Sequence, residues 1–271
     1  MSDRVKLAVK DHVAVVTLNR PEKKNAVDME MFEALIRTGD AIRKDLSVRA
    51  VVLHGAGGNF CAGIDISVFR PVQPGDREGI SGGGRMQPLD GSPANFFQSA
   101  AWVWRDLPVP VIAAVEGYAF GAGLQIAAGA DIRFARKDAK LSIMEIKWGL
   151  IPDMAISATL RNVMPVDRVR HLAYSGRVVG GEEALSMGLV TALNDEPFNA
   201  ACALATEIAG KSPEAIRSIK ALTSSAWAQP VAEALRTEAR LQTGLMGSLN
   251  QREAAEANMT GRKPAFRDPG S

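Results

Sequence analysis

Cysteine is scarce. The 271 residues hold two, Cys61 and Cys202, far apart and with no CxxC pair or His/Cys cluster near them. That excludes a disulfide framework, argues against a metal site and makes a reducing compartment the default. Histidine is nearly as rare. His12, His54 and His171 stand alone, with no GxSxG elbow and no ligand-spaced pair, so each is expected to be structural. No Walker A string occurs, and Gly117, Gly121 and Gly123 lack the GxGxxG order, which removes ATP and NAD binding. An excess of one charge is also missing. Lys and Arg number 32 against 30 Asp and Glu, a net charge of +2, too little for a nucleic-acid surface. Only Val111 to Ala130 imitates a membrane span. Glu116, Gln125 and many small residues interrupt it, so a buried strand followed by a helix fits better. The N-terminal MSDRVKLAVKDHVAVVTL is charged and alternating, unlike a signal peptide. The expectation is a cytoplasmic globular protein without membrane or nucleic-acid partners.

What is present is core-forming composition, 46% hydrophobic and 23% charged. The length suits one domain with an appendage. Val5 to Val9 and Val13 to Leu18 are β-rich runs around a short polar gap and predict a hairpin. A helix should start near Asp28 as N-cap, with Met29, Phe32, Leu35, Ile36 and Ile42 at helical spacing. Ala50 to Leu53 and Val111 to Val115 fit buried strands, and an aromatic-rich helix follows Phe96. Asp131 to Ala135 and Lys140 to Ile143 predict two further strands. The Gly- and Pro-rich segment from Arg70 to Ala94 reads as a loop, either a tolerated insertion or a lid. After Pro152 the chain is expected to be nearly all helical. Leu235, Leu241, Leu245 and Leu249 lie close to one stripe that would serve a core or a subunit contact.

Two turns carry a chemical signal. At FCAGID and at YAFGAGLQ a buried strand ends, small residues follow and a helix begins. Backbone N–H groups at a helix start lack intrahelical partners. Two such groups from two turns can converge on one oxygen and form an oxyanion hole, worth about 3 to 4 kcal/mol per donor in a transition state. Further on, Glu145 sits among Ile143, Met144, Ile146 and Trp148. A carboxyl group in an apolar wall has a raised pKa and suits a general base near neutrality. Asp153 follows after Gly149 and Pro152, where a turn would bring both carboxylates to one cavity. The alternative is a solvated Glu145, with Asp153 capping a helix over Ala155 to Arg161.

These strings together resemble the crotonase superfamily, the enoyl-CoA hydratases and isomerases. The resemblance is carried by NRPEKKNAVD (Asn19 to Asp28), FCAGIDI (Phe60 to Ile66) and VEGYAFGAGLQIAAGADIRFA (Val115 to Ala135). It continues through EIKWGLIPD (Glu145 to Asp153) and SGRVVGGEEALSMGLV (Ser175 to Val190), in order over almost the whole chain. It implies an α/β fold, a crotonase-like ββα superhelix with a helical C-terminal trimerisation region. The core would span 1–195 and the helical oligomerisation region 196–271, in a trimer or dimer of trimers. It also implies acyl-CoA substrates, with coenzyme A as part of the substrate and no separate cofactor or metal. Ala62 and Ala122 stand where the resemblance places the two N–H donors, Ala122 in place of the usual Gly. For coenzyme A it points to the loop Ala62, Gly63, Ile64 and Asp65 and to Lys24. Phe266 and Arg267 would reach the ligand from a neighbouring subunit.

The candidate catalytic residues are Glu145, Asp153 and Gln125. The resemblance implies two glutamates in hydratases, one aligned with Glu145 and the other with Gln125. Here the latter is an amide, which can orient a group but cannot accept a proton at physiological pH. Dienoyl-CoA isomerases of the superfamily place a Glu and an Asp as Glu145 and Asp153 stand here, but also an Asp at the Gln125 position. Simple enoyl isomerases work with one glutamate, since moving one proton along the chain needs one base that becomes the acid. Double-bond isomerisation is therefore favoured. Hydration and a non-catalytic acyl-CoA binder remain open alternatives.

Overall fold

The computed structural model describes residues 3–68 and 84–270. The strands and helices run as β1 (Val5–Lys10), β2 (Val13–Leu18), α1 (Met29–Lys44), β3 (Ala50–Gly55) and α2 (Phe96–Asp106). Next come β4 (Val111–Val115), β5 (Tyr118–Phe120), α3 (Ala122–Ala128), β6 (Ile132–Ala135) and β7 (Lys140–Ser142). The chain continues with α4 (Ile156–Thr159), α5 (Val166–Ser175), β8 (Val179–Gly180), α6 (Gly181–Ser186) and β9 (Ala192–Leu193). Four helices close it: α7 (Pro197–Ala209), α8 (Pro213–Ser225), α9 (Val231–Leu245) and α10 (Leu249–Thr260).

Six strands form one sheet in the order β1-β2-β3-β4-β6-β9, antiparallel at the β1/β2 hairpin and parallel elsewhere. A small sheet, β5-β7-β8, lies beside it. The chain repeats one motif, a strand in the large sheet, a strand in the small one, then a helix. β4, β5 and α3 are its clearest turn.

Alternation assigns the two faces of the large sheet. Ala14, Val16, Val51, Leu53, Ala113 and Val115 belong to the main core with α1, α2 and α3. The intervening Val13, Ala50, Val52, Ile112 and Ala114 meet Ala201, Ala205 and Ala209 of α7. With both faces covered, β4 reads as an unbroken apolar run and is wholly buried. α7 thus packs on the sheet although it lies beyond residue 195. Asp28 caps α1 as expected, its side chain accepting the Met31 N–H at 2.9 Å. α2 opens with a full capping box between Asn95 and Gln98.

Several expectations change. Tyr118 to Phe120, read as part of a turn, form β5, and two short strands, β8 and β9, interrupt the region expected to be helical. The Arg70–Ala94 loop lies largely outside the described residues. The leucine stripe is split. Leu235, Leu241 and Leu245 of α9 face Ile219 and Leu222 of α8 across an open groove, while Leu249 begins α10. α9 has no buried residue. No described helix is long and apolar enough to cross a membrane.

His12 and His54 hold structure through their rings. His12 bonds the Ser47 carbonyl at 2.9 Å, and His54 meets the Thr17 hydroxyl at 2.8 Å. Burial pushes His54 down to about 4. His171 offers its backbone carbonyl to the Ser175 hydroxyl.

Candidate active site

The segment at Ala62 to Ile66, the end of β5, the start of α3 and the turn after β7 enclose a cleft of about 240 Å³. Its lining includes Ala62, Ile64, Ala122, Gln125, Glu145 and Asp153. All six are candidates on sequence grounds, and the fold brings them together. Apolar side chains, Phe120, Met144, Trp148, Leu150, Ile151 and Met154, fill in around them.

Two glycines set how tightly the walls meet. Gly121 precedes α3 at φ +49°, a left-handed conformation that lets the chain leave β5 and enter the helix at once. A Cβ on Gly123 would lie 2.4 Å from the Cys61 carbonyl oxygen, so only glycine lets α3 press on the Cys61 turn.

Strand pairing decides which N–H groups face the cleft. The Cys61 N–H and carbonyl pair with β5 through Tyr118 O and Phe120 N, at 2.8 and 3.0 Å. In extended chain the next peptide points the other way. The Ala62 N–H accordingly donates to the Lys24 carbonyl at 2.9 Å. This corrects the expected oxyanion donor, because the Ala62 hydrogen is already engaged. Val27 then binds the Gly63 carbonyl and the Asp65 N–H, at 2.8 and 2.9 Å, around a parallel bridge to Ile64. A residue so bridged turns its own N–H away from its partner strand. The Ile64 N–H has no acceptor among the described residues, and Ile64 lines the cleft. From the sequence, Ile64 is expected only in the coenzyme A loop. The alternation of the FCAGID string was the available signal, but its phase depended on the distant partners Lys24 and Val27. Ala122 stands at the first position of α3, where its N–H has no helical partner and no acceptor among the described residues.

Glu145 opens a 3-10 turn, Glu145–Trp148, directly after β7. Gln125, buried on α3, donates from Nε2 to Glu145 Oε1 at 2.6 Å and accepts the Met154 N–H on Oε1 at 2.8 Å. Glu145 Oε2 is buried with no hydrogen-bond partner among the described residues. Burial raises the Glu145 pKa above its usual value; its own backbone N–H and then the Gln125 hydrogen bond oppose this, and the Asp153 charge adds to it. Asp153 is raised as well, again by burial. It does not cap a helix: Ala155 stands at that position, before α4.

The coenzyme A candidates fare unevenly. Lys24 adjoins the loop through its carbonyl bond to Ala62, and its Nζ sits 4.5 Å from the centre of the Tyr118 ring. Asp65 serves the backbone. Its carboxylate accepts the Ser67 N–H at 2.9 Å and pairs with Arg20, which hold it down to about 2. Phe266 and Arg267 lie off the cleft of their own chain. The Phe266 carbonyl accepts Arg49, and Arg267 exchanges backbone bonds with the Asn250 side chain. The described residues contain no cluster of His, Cys, Asp and Glu able to hold a metal ion.

Two backbone donors and a half-buried carboxylate of raised pKa in one apolar cleft are equipment for making and holding an enolate. The enoyl-CoA hydratase/isomerase family model matches residues 8–269. The chain belongs to that family. Enoyl-CoA hydratase EchA19 of Mycobacterium tuberculosis is 31% identical over 95% of this chain and 94% of its own length. The mitochondrial Delta(3,5)-Delta(2,4)-dienoyl-CoA isomerase of Mus musculus is 35% identical over 77% of this chain and 64% of that protein. A crystal structure of an enoyl-CoA hydratase from Bacillus anthracis superposes with a TM-score of 0.85 at 26% identity, over 97% of this chain and 99% of that one. The family relation fixes the crotonase fold and the crotonase type of enzyme. Hydratase and isomerase names both occur among the relatives, so the reaction rests on the residues of the cleft.

Proposed function

We propose that this enzyme moves a carbon–carbon double bond within an unsaturated acyl-CoA thioester. The observation that carries the reading is the Gln125–Glu145 pair: an amide occupies the place where hydration would call for a second carboxylate. The thioester carbonyl accepts hydrogen bonds from the N–H groups of Ile64 and Ala122. Glu145 takes a proton from the carbon α to the carbonyl, and the C–H electron pair passes into a dienolate whose negative charge rests on the thioester oxygen. The protonated Glu145 then delivers that proton to the γ carbon, and the carbonyl re-forms. No atom is gained and no water is consumed. Apolar walls exclude competing solvent and suit a hydrocarbon acyl chain.

Coenzyme A enters and leaves as part of the substrate, and the reaction asks for no other cofactor. Lys24 and the Ala62–Asp65 loop are suited to its adenine end. Phe266 and Arg267 would serve a neighbouring subunit, brought there by the helical region 196–271 in a trimer or dimer of trimers. The unburied α9 and its open leucine groove support that assembly.

Hydration is the second reading, favoured by Asp153, a carboxylate with a raised pKa lining the same cleft. Chromatography and mass spectrometry of 2-enoyl-, 3-enoyl- and 3,5-dienoyl-CoA esters turned over in heavy-oxygen water separates the readings. A displaced double bond at unchanged mass is the expected result. A heavy-oxygen hydroxyl on the acyl chain would replace isomerisation by hydration. Thermal stabilisation by the esters without any product would mean a binder.

A further inference from the structure

We propose that Gln125 is a positioning residue whose amide reserves one oxygen of Glu145, Oε2, for proton transfer and keeps the Asp153 segment in register with it. The inference rests on Glu145 being the acid–base group of the proposed reaction.

The argument starts from the backbone. The Met154 N–H can only donate, so the group it meets at 2.8 Å must be the Gln125 carbonyl oxygen. That fixes the amide, and its NH2 must then face Glu145 Oε1, at 2.6 Å. Oε1 is thereby an acceptor in both protonation states of the glutamate. A proton on Oε1 would face a donor, so it resides on Oε2, the oxygen left without a partner. Proton pickup and return use the same atom, which suits transfer along one face of a planar dienolate.

The same amide joins two segments. Nε2 holds the turn after β7, and the carbonyl holds the residue that follows Asp153. Gly121 packs against the first contact, where an added Cβ would stand 3.2 Å from Glu145 Oε1. Among the charged groups around Glu145, Asp153 has the largest effect on it. Lys147 on the same turn, and Asp167, Arg168, Arg170 and His171 on the packed α5, are not among its larger influences.

The test is titration of the ligand-free protein, carrying glutamate labelled with carbon-13 at the side-chain carboxyl, by NMR. Glu145 is assigned from the signal missing in Glu145→Gln. Gln125→Met removes the side-chain donor that favours the ionised form and leaves the backbone donors of Glu145 and Met144, so the Glu145 midpoint should rise by about one pH unit, a tenfold change in its ionisation constant. Gln125→Glu sets two carboxyls against each other, and the pair should titrate in two steps, the upper one higher still. In the wild type, the Gln125 side-chain amide protons should shift with the Glu145 midpoint, a readout that needs no variant. An unmoved or lowered midpoint in a folded variant, or amide protons that ignore the titration, would overturn the proposal. Absence of turnover on every enoyl ester would instead remove the proposed reaction and leave this titration result standing.

Discussion

Beside the β3 end of the cleft, Asp65 binds the Ser67 N–H and Arg20, and its carboxyl is held down to about 2. In the turn after β7, Glu145 takes its one side-chain hydrogen bond from Gln125, has Oε2 without a hydrogen-bond partner among the described residues and is pushed up by burial. One carboxylate is spent on holding the loop that aims the Ile64 N–H. The other is left partly unsatisfied, which suits it to the base role proposed for it. The difference separates residues that build this cleft from residues that react in it, and it has consequences of opposite sign for stability.

The largest effect should come from Glu145→Gln, which is expected to lower kcat by about 10²- to 10⁴-fold, the usual worth of an acid–base group. The same variant should melt higher than wild type at neutral pH. The folded state holds the Glu145 proton more tightly than the unfolded chain does. Its stabilising contribution is therefore present below pH 4.5 and is lost as pH rises through the elevated folded value. Above that value the buried charge is a cost, and the amide removes it. The ascending limb of kcat/KM against pH should correspondingly lie above pH 4.5.

Next in size, Gly123→Ala should destabilise by about 1 to 3 kcal/mol, since the added methyl meets the Cys61 carbonyl. Denaturant midpoints measure this, and kcat should fall with them as Ala122 and Ile64 move apart. Asp65→Asn should lower the melting temperature at neutral pH, opposite to Glu145→Gln. The Asp65 contribution is present above pH 3.8 and is lost as pH falls toward about 2, so the deficit should shrink in acid. Equal signs for the Asp65 and Glu145 variants at pH 7 would break the comparison. The smallest effect belongs to Ala122→Gly. It keeps the N–H, so turnover should stay within about threefold while stability drops by at most about 1 kcal/mol.

Much of this was legible in the sequence because it is local. The β1/β2 hairpin, the Asp28 cap and the buried runs of β3 and β4 depend on residues a few positions apart. Glu145 was legible for the same reason, its apolar neighbours being adjacent in the chain. Long-range pairing hid the rest. Whether Ala62 or Ile64 offers the free N–H depends on bonds to Lys24 and Val27, and β8 and β9 exist only because β7 and β6 lie alongside. The FCAGID string shows that a turn is present, while the phase of its peptides belongs to the fold. Gln125 was legible as a missing base. Its second bond, to the Met154 N–H, needed the return of the chain after Pro152.

The central claim is that Glu145 forms the enolate. The most direct measurement is proton NMR of a 3-enoyl-CoA ester incubated in heavy water with wild type and with Glu145→Gln, following the protons α to the thioester. The account predicts that wild type moves or exchanges an α proton and that the variant leaves both alone. Wild-type rates of α-proton loss in Glu145→Gln would contradict it.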